Sequence, residues 1–64
     1  MHDGLVHYDA DAGVFVLRVY AANGAFIARR EFEPTQWFNG GEPAIPDALE
    51  AECKRRRLRS VSMC

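Results

Sequence analysis

Apolar residues alternate along two stretches of this chain, Phe15, Leu17, Val19 and Ala21 on one side of Asn23-Gly24 and Phe26, Ala28 and Phe32 on the other. A period of two is that of a half-buried β-strand. Asn-Gly is the dipeptide best suited to a two-residue type I′ turn, whose central positions both need positive φ. A hairpin centred there faces Ala22 with Ala25, Tyr20 with Ile27, Val19 with Ala28, Arg18 with Arg29, Leu17 with Arg30 and Phe15 with Phe32. The seven alternating residues then share a core face on which Arg30 is the only charge. The other face carries Val14, Val16, Arg18, Tyr20, Ile27, Arg29, Glu31 and Glu33, a mixed surface expected to meet solvent.

Upstream, Leu5 to Tyr8 reads as a third strand, joined to the hairpin by Asp9-Ala10-Asp11-Ala12-Gly13, whose two carboxylates and glycine favour a turn. Residues 34–46 contain three prolines and Gly40-Gly41, which predicts a loop with one helical turn around Thr35 to Phe38. From Pro46 the pattern becomes helical. Proline suits a first helical position, Asp47, Glu50 and Glu52 come early, and a basic run comes late, as the helix dipole favours. Glu50 with Lys54 and Glu52 with Arg56 form i,i+4 pairs, each worth about 0.2–0.5 kcal/mol on an exposed helix. The stripe Ile45, Leu49, Cys53 predicts the face turned to the sheet. Leu58 falls off that stripe, so the helix should end near Arg57. Alternation over residues 58–64 predicts an edge strand or an ordered tail. The expected fold is α+β: a small antiparallel sheet of three or four strands with one C-terminal helix packed on one face, in a single domain over 1–64.

Composition narrows the function classes. Of 64 residues, 48% are hydrophobic, and one Trp, two Tyr and four Phe are too many for a disordered chain. A domain this small buries only roughly 60% of its unfolded surface, leaving little room for a deep catalytic pocket. No apolar run approaches the ~20 residues of a membrane span. The start Met-His-Asp-Gly lacks the basic and apolar regions of a secretory signal, so a cytoplasmic protein is expected, with Cys53 and Cys64 as free thiols.

Charge changes the picture most. All nine acidic residues lie between Asp3 and Glu52 against three arginines, leaving −6, while Lys54, Arg55, Arg56, Arg57 and Arg59 give the last eleven positions +5. Such a dipolar chain approaches cationic and anionic surfaces with different ends. The basic run reads as a phosphate contact, because arginine forks bind phosphate oxygens and release counterions, or as an ordinary solvated helix end neutralised by acids one turn earlier. The acidic body reads as carboxylates offered to a groove that normally holds DNA or RNA, or as solubilising charge. Candidate partner-binding residues are Asp9, Asp11, Tyr20, Glu31, Glu33, Trp37, Glu42, Asp47 and Glu50. Trp37 and Phe38 are possible anchors inside a charged rim, or a loop folded over the core.

Catalytic chemistry has little support in the residues. His7, Asp9 and Asp11 alternate as a strand's metal ligands would, yet they also read as a polar strand end entering a turn. Asp9-x-Asp11-x-Gly13 opens like a calcium loop, but its twelfth position is Tyr20 in place of a bidentate glutamate. Cys53 sits in the second half of the predicted helix on its buried stripe, and no Gly-x-Ser-x-Gly elbow or phosphate-cradling glycine loop is present. No enzyme, cofactor or metal is expected.

An acidic body, small size and missing catalytic apparatus together resemble, in class character, phage-encoded anti-defence proteins, including anti-CRISPR inhibitors. No motif carries that resemblance and it transfers no residue roles. It implies a non-catalytic inhibitor or modulator of a nucleic-acid-handling complex. The alternatives are a small DNA- or RNA-binding regulator using Lys54 to Arg59, and an accessory or toxin-antitoxin subunit pairing through a sheet face or edge, as monomer or homodimer.

Overall fold

In the computed structural model, which describes residues 1–63, β1 (His2–Asp9) and β2 (Val14–Ala21) pair antiparallel along their whole length, from His2 opposite Ala21 to Asp9 opposite Val14. Their turn is built by Asp9. Its Oδ1 accepts hydrogen bonds from the backbone N–H groups of Asp11 and Ala12 at 3.1 and 3.2 Å, and its carbonyl accepts from Gly13 at 2.7 Å. β1 is thus longer than the Leu5–Tyr8 segment that alternation alone suggests.

The hairpin to β3 (Phe26–Phe32) keeps the expected register from Phe15 opposite Phe32 to Val19 opposite Ala28, then shifts by one residue, pairing Tyr20 with Phe26. The loop causes the shift. Gly24 N–H bonds the Ala21 carbonyl at 2.9 Å, Ala21 N–H bonds the Ala25 carbonyl at 2.8 Å, and of the loop residues only Gly24 has positive φ, at 90°. This is a three-residue loop, a type I turn closed by a glycine bulge, in place of the two-residue type I′ turn. Asn23 keeps negative φ, and its Oδ1 accepts the Ala25 N–H at 3.0 Å. Phe26 therefore leaves the core face and meets Tyr20 edge-on, ring centroids 5.9 Å apart.

Residues 33–46 hold no helical turn. Trp37 bridges Pro43, Ala44 N–H bonds the Gln36 carbonyl at 2.9 Å, and Phe38 N–H bonds the Glu42 carbonyl at 2.8 Å, forming a small hairpin of its own. Its turn runs from Phe38 to Gly41 with Gly40 at φ 102°, the positive value that the third position of a type II turn demands. The helix α1 (Asp47–Arg55) follows, with Pro46 as its N-cap and not its first helical residue.

α1 ends in a Schellman motif: Leu58 N–H reaches the Cys53 carbonyl at 3.4 Å and Arg57 N–H that of Lys54 at 3.1 Å. Arg57 occupies the left-handed position at φ 52°, where glycine is usual. Relieving the clash of Cβ with the backbone outweighs the extra entropy of an unfolded glycine, so Arg57→Gly should stabilise the protein by about 0.5–1 kcal/mol. A urea midpoint that falls instead would show that the arginine stem contributes more than its backbone costs.

The motif turns the chain into β4 (Ser60–Met63), which adds to β1 in parallel, so the sheet order is β3-β2-β1-β4 and the sheet is mixed. Arg59 N–H starts this pairing on the His2 carbonyl at 2.7 Å. The core lies between sheet and helix: Val6, Phe15, Leu17, Val19 and Leu49 are buried, with Ala28, Phe32, Cys53 and Leu58 packed at the edge. Gly4 makes room for Leu58, since a Cβ there would lie 2.7 Å from Leu58 Cδ1. The fold is the expected α+β arrangement with one helix, but its four-stranded sheet is mixed and not antiparallel throughout, because the helix returns the chain to the end of the sheet where β1 begins and β4 then runs alongside it. On the opposite face Val14 and Val16 are also buried, Val16 at the sheet centre between His7 and Glu31 in register.

One helix does not cover this sheet. Nine helical residues span about 13 Å, whereas eight strand residues span about 26 Å. The radius of gyration, 12.0 Å, exceeds the ~11 Å of a compact chain of this length. Hollows remain at the helix flanks.

Candidate partner-binding surface

The topology turns the charge order of the sequence into an order in space. Asp9 lies opposite Val14, the neighbouring pair Phe15–Phe32 closes β3, and β4 ends at Met63 beside Val6, so these strand ends mark one end of the sheet. The Asp9–Gly13 turn, Glu31, Glu33, the Trp37–Pro43 loop and the first turn of α1 gather there. The last turn of α1, the start of β4 and the Asn23-Gly24 loop lie at the other. Of the predicted partner-binding residues, Asp9, Asp11, Glu31, Glu33, Trp37, Glu42, Asp47 and Glu50 come together at the acidic end, while Tyr20 is at the far end beside Phe26.

Which charges are free follows from the ion pairs. Glu52 accepts from Arg55 Nη2 at 2.7 Å through both carboxylate oxygens and from Arg56 Nε. Asp3 accepts from Arg59 Nη2 and Nε at 2.8 and 3.1 Å and from the Ser60 hydroxyl at 3.0 Å. Three of the five residues of the basic run are thus held by carboxylates, and Glu50 does not reach Lys54. On the sheet, Glu31 pairs with Arg29 and eases its repulsion with Arg18 across the strands. Asp9 is occupied by its turn. Among the described residues, Asp11, Glu33, Glu42, Asp47 and Glu50 have no cation within 4.0 Å, and all five are exposed.

The two guanidinium partners hold the Glu52 carboxyl down at about 2, hydrogen bonding from Arg55 being the larger cause and Arg56 the next. Asp3 is lowered as well, chiefly by its hydrogen bond from Arg59. A carboxyl depressed on folding contributes stability that is complete above its unfolded value and is lost as pH falls through its folded value. The protein should therefore lose stability as pH drops from 4.5 towards 2. Glu52→Gln should cost about 1 kcal/mol at neutral pH and flatten that acid limb, as read by thermal melts across the range. An unchanged acid limb would mean that the pairs are screened out in solution.

Beneath the Trp37–Pro43 loop lies a hollow of about 420 Å³ lined by Phe15, Phe38, Pro43, Ala44, Ile45, Glu50 and Met63. A second, of about 330 Å³, continues from it along α1 and β4, past Val6, Leu49, Cys53, Lys54 and Val61. Trp37 is 58% exposed and Phe38 63%, so the loop does not fold its aromatic rings over the core. Its backbone is tied to itself, and of its two exposed rings Phe38 lines the hollow. Comparison with family models, curated proteins and solved structures gives no match. The surface must be read from its own chemistry.

Burial pushes the Cys53 thiol up, and the Glu52 and Glu50 carboxylates add to the effect, so this side chain is held as a thiol and is a poor nucleophile. Cys64 lies outside the described residues. Among those described, no three His, Cys, Asp or Glu side chains cluster as metal ligands would. His7 and Asp9 share a strand face, but Asp9 is turned to the backbone, and Asp11 belongs to the turn and not the strand. Sequence reasoning placed Ile45 against the sheet; it lies instead at the mouth of both hollows, 38% exposed. Met63 joins it there, and its position became visible only once β4 had a direction.

Proposed function

We propose that this chain is a non-catalytic protein-binding module whose acidic end docks on a cationic surface of its partner. One observation carries the reading: five unpaired carboxylates share the end of the sheet with two exposed aromatic rings, Trp37 and Phe38, the second of which lines an apolar hollow. Aromatic anchors that enter a partner's pocket supply most of an interface's binding energy, and a surrounding rim of one sign steers encounter and selects the partner. Trp37 and Phe38 are the anchors. Asp11, Glu33, Glu42, Asp47 and Glu50 form the rim, and the hollow accepts an apolar side chain in return.

Surfaces that hold DNA or RNA are the most strongly cationic that proteins offer, which makes a nucleic-acid-handling complex the partner class that fits, with the chain acting as an inhibitor or modulator by occupying its basic groove. Direct nucleic-acid binding through Lys54–Arg59 is the weaker reading, because Arg55, Arg56 and Arg59 already have carboxylate partners.

Fluorescence anisotropy separates the two. Labelled single- and double-stranded DNA and RNA should show no salt-sensitive binding, while a labelled peptide alternating lysine with leucine should bind and be released by salt. Nucleic-acid binding that falls steeply with salt and disappears on Lys54→Ala with Arg57→Ala would reverse the assignment.

A further inference from the structure

The two edges of the sheet differ. β3 exposes Arg29, Arg30 and Glu31 and carries the bulge beside Ile27, the charges and irregularity that keep an edge from pairing with another chain. β4 has neither. Its sequence is Ser-Val-Ser-Met, all four residues are exposed, and as the last strand in the order it has one row of backbone N–H and C=O groups with no neighbouring strand. Val61 and Met63 lie in register with Gly4 and Val6 and face the helix side, where they form the outer wall of the 330 Å³ groove.

We infer that β4 and this groove pair with the same surface of a second copy of the chain, joining two sheets antiparallel about a twofold axis into one of eight strands. The charges select this occupant. α1 runs opposite to β4: Ile45 and Glu50, at its start, share a hollow with Met63, whereas Leu58, beyond its end, packs over Gly4 close to Val61. A twofold axis through the β4 edge therefore lays the two helices side by side and antiparallel. Glu50 and Lys54, which line the groove of each chain without reaching one another, then meet Lys54 and Glu50 of the second copy. On the larger scale the acidic end of one chain lies beside the basic end of the other, so the separation that repels a parallel neighbour attracts an antiparallel one. An apolar strip formed by Val61, Met63, Leu49 and Cys53 closes on its own counterpart. The joint takes Glu50 out of the docking rim, while Trp37, Phe38, Asp11, Glu33, Glu42 and Asp47 stay outside it, so the dimer displays both aromatic anchors and the other four carboxylates twice.

The test is sedimentation equilibrium of the full chain over a concentration series, under reducing conditions so that thiols do not cross-link the copies. Wild type should run as a monomer–dimer equilibrium. Glu50→Lys sets like charges across the axis and should weaken the dimer about tenfold, 1.4 kcal/mol, while Glu50→Lys with Lys54→Glu restores the attraction and should recover it. Val61→Lys places a charge in the apolar strip and should give monomer, with circular dichroism reporting that it still folds. A wild type that stays monomeric throughout, or a dimer indifferent to Glu50→Lys, overturns the inference. Neither result bears on Trp37, Phe38 or the four rim carboxylates other than Glu50, and Val61→Lys leaves the whole rim unchanged.

Discussion

Leu17→Ala is expected to remove most of the protein's stability. Leu17 is completely buried at the centre of the sheet, in register with Val6 on one side and Arg30 on the other, and belongs to the cluster that Leu49 closes from the helix. Truncating such a leucine costs about 3–5 kcal/mol through lost transfer energy and the cavity left behind. A chain of 64 residues has only roughly 3–10 kcal/mol to lose. Urea unfolding followed by far-ultraviolet circular dichroism should show the midpoint collapse towards zero denaturant. A shift below about 0.5 kcal/mol, the size typical of surface positions, would place the core elsewhere.

Trp37→Ala is expected to do the opposite, leaving stability intact and weakening recognition. The indole is more than half exposed, and the loop that carries it is tied by backbone hydrogen bonds that the substitution does not touch. Its unfolding midpoint should move by less than about 0.5 kcal/mol. An anchoring aromatic at the centre of an interface is worth about 2 kcal/mol or more, so affinity for a basic, leucine-containing peptide should fall roughly 30-fold. The pattern that contradicts the assignment is the reverse, unchanged peptide affinity with a lowered midpoint, which would make Trp37 a cover for the core.

Much of the fold was legible because short-range rules govern it. Alternation and Asn23-Gly24 sufficed for the pairing from Phe15–Phe32 to Val19–Ala28, and acid-before-base order with Pro46 located α1. The one-residue shift at Tyr20 was not legible, since a two-residue and a three-residue loop both want glycine at the same place, and the choice between them moves Phe26 to the other face. The direction of β4 was hidden too: it follows from where the helix delivers the chain. The candidate site divides the same way. Glu52 lies one turn before Arg55 and Arg56, so that pairing is local, whereas Asp3 and Arg59 are brought together only by the β1–β4 pairing. Nothing along the chain signalled that Trp37 and Phe38 would stand clear of the core, because a loop's self-pairing through Gln36 and Ala44 depends on backbone geometry that side-chain patterns do not report.

Trp37 is the only tryptophan in the chain, and it is one of the two anchors of the proposed surface. The decisive measurement is its emission spectrum during titration with the alternating lysine–leucine peptide at low and high salt. A salt-sensitive blue shift, weakened by Phe38→Ala and by Glu42→Gln with Asp47→Asn, is the result expected if the acidic end captures cationic partners. An emission that stays that of a solvated indole while the peptide binds would contradict the account, placing recognition on another face of the protein.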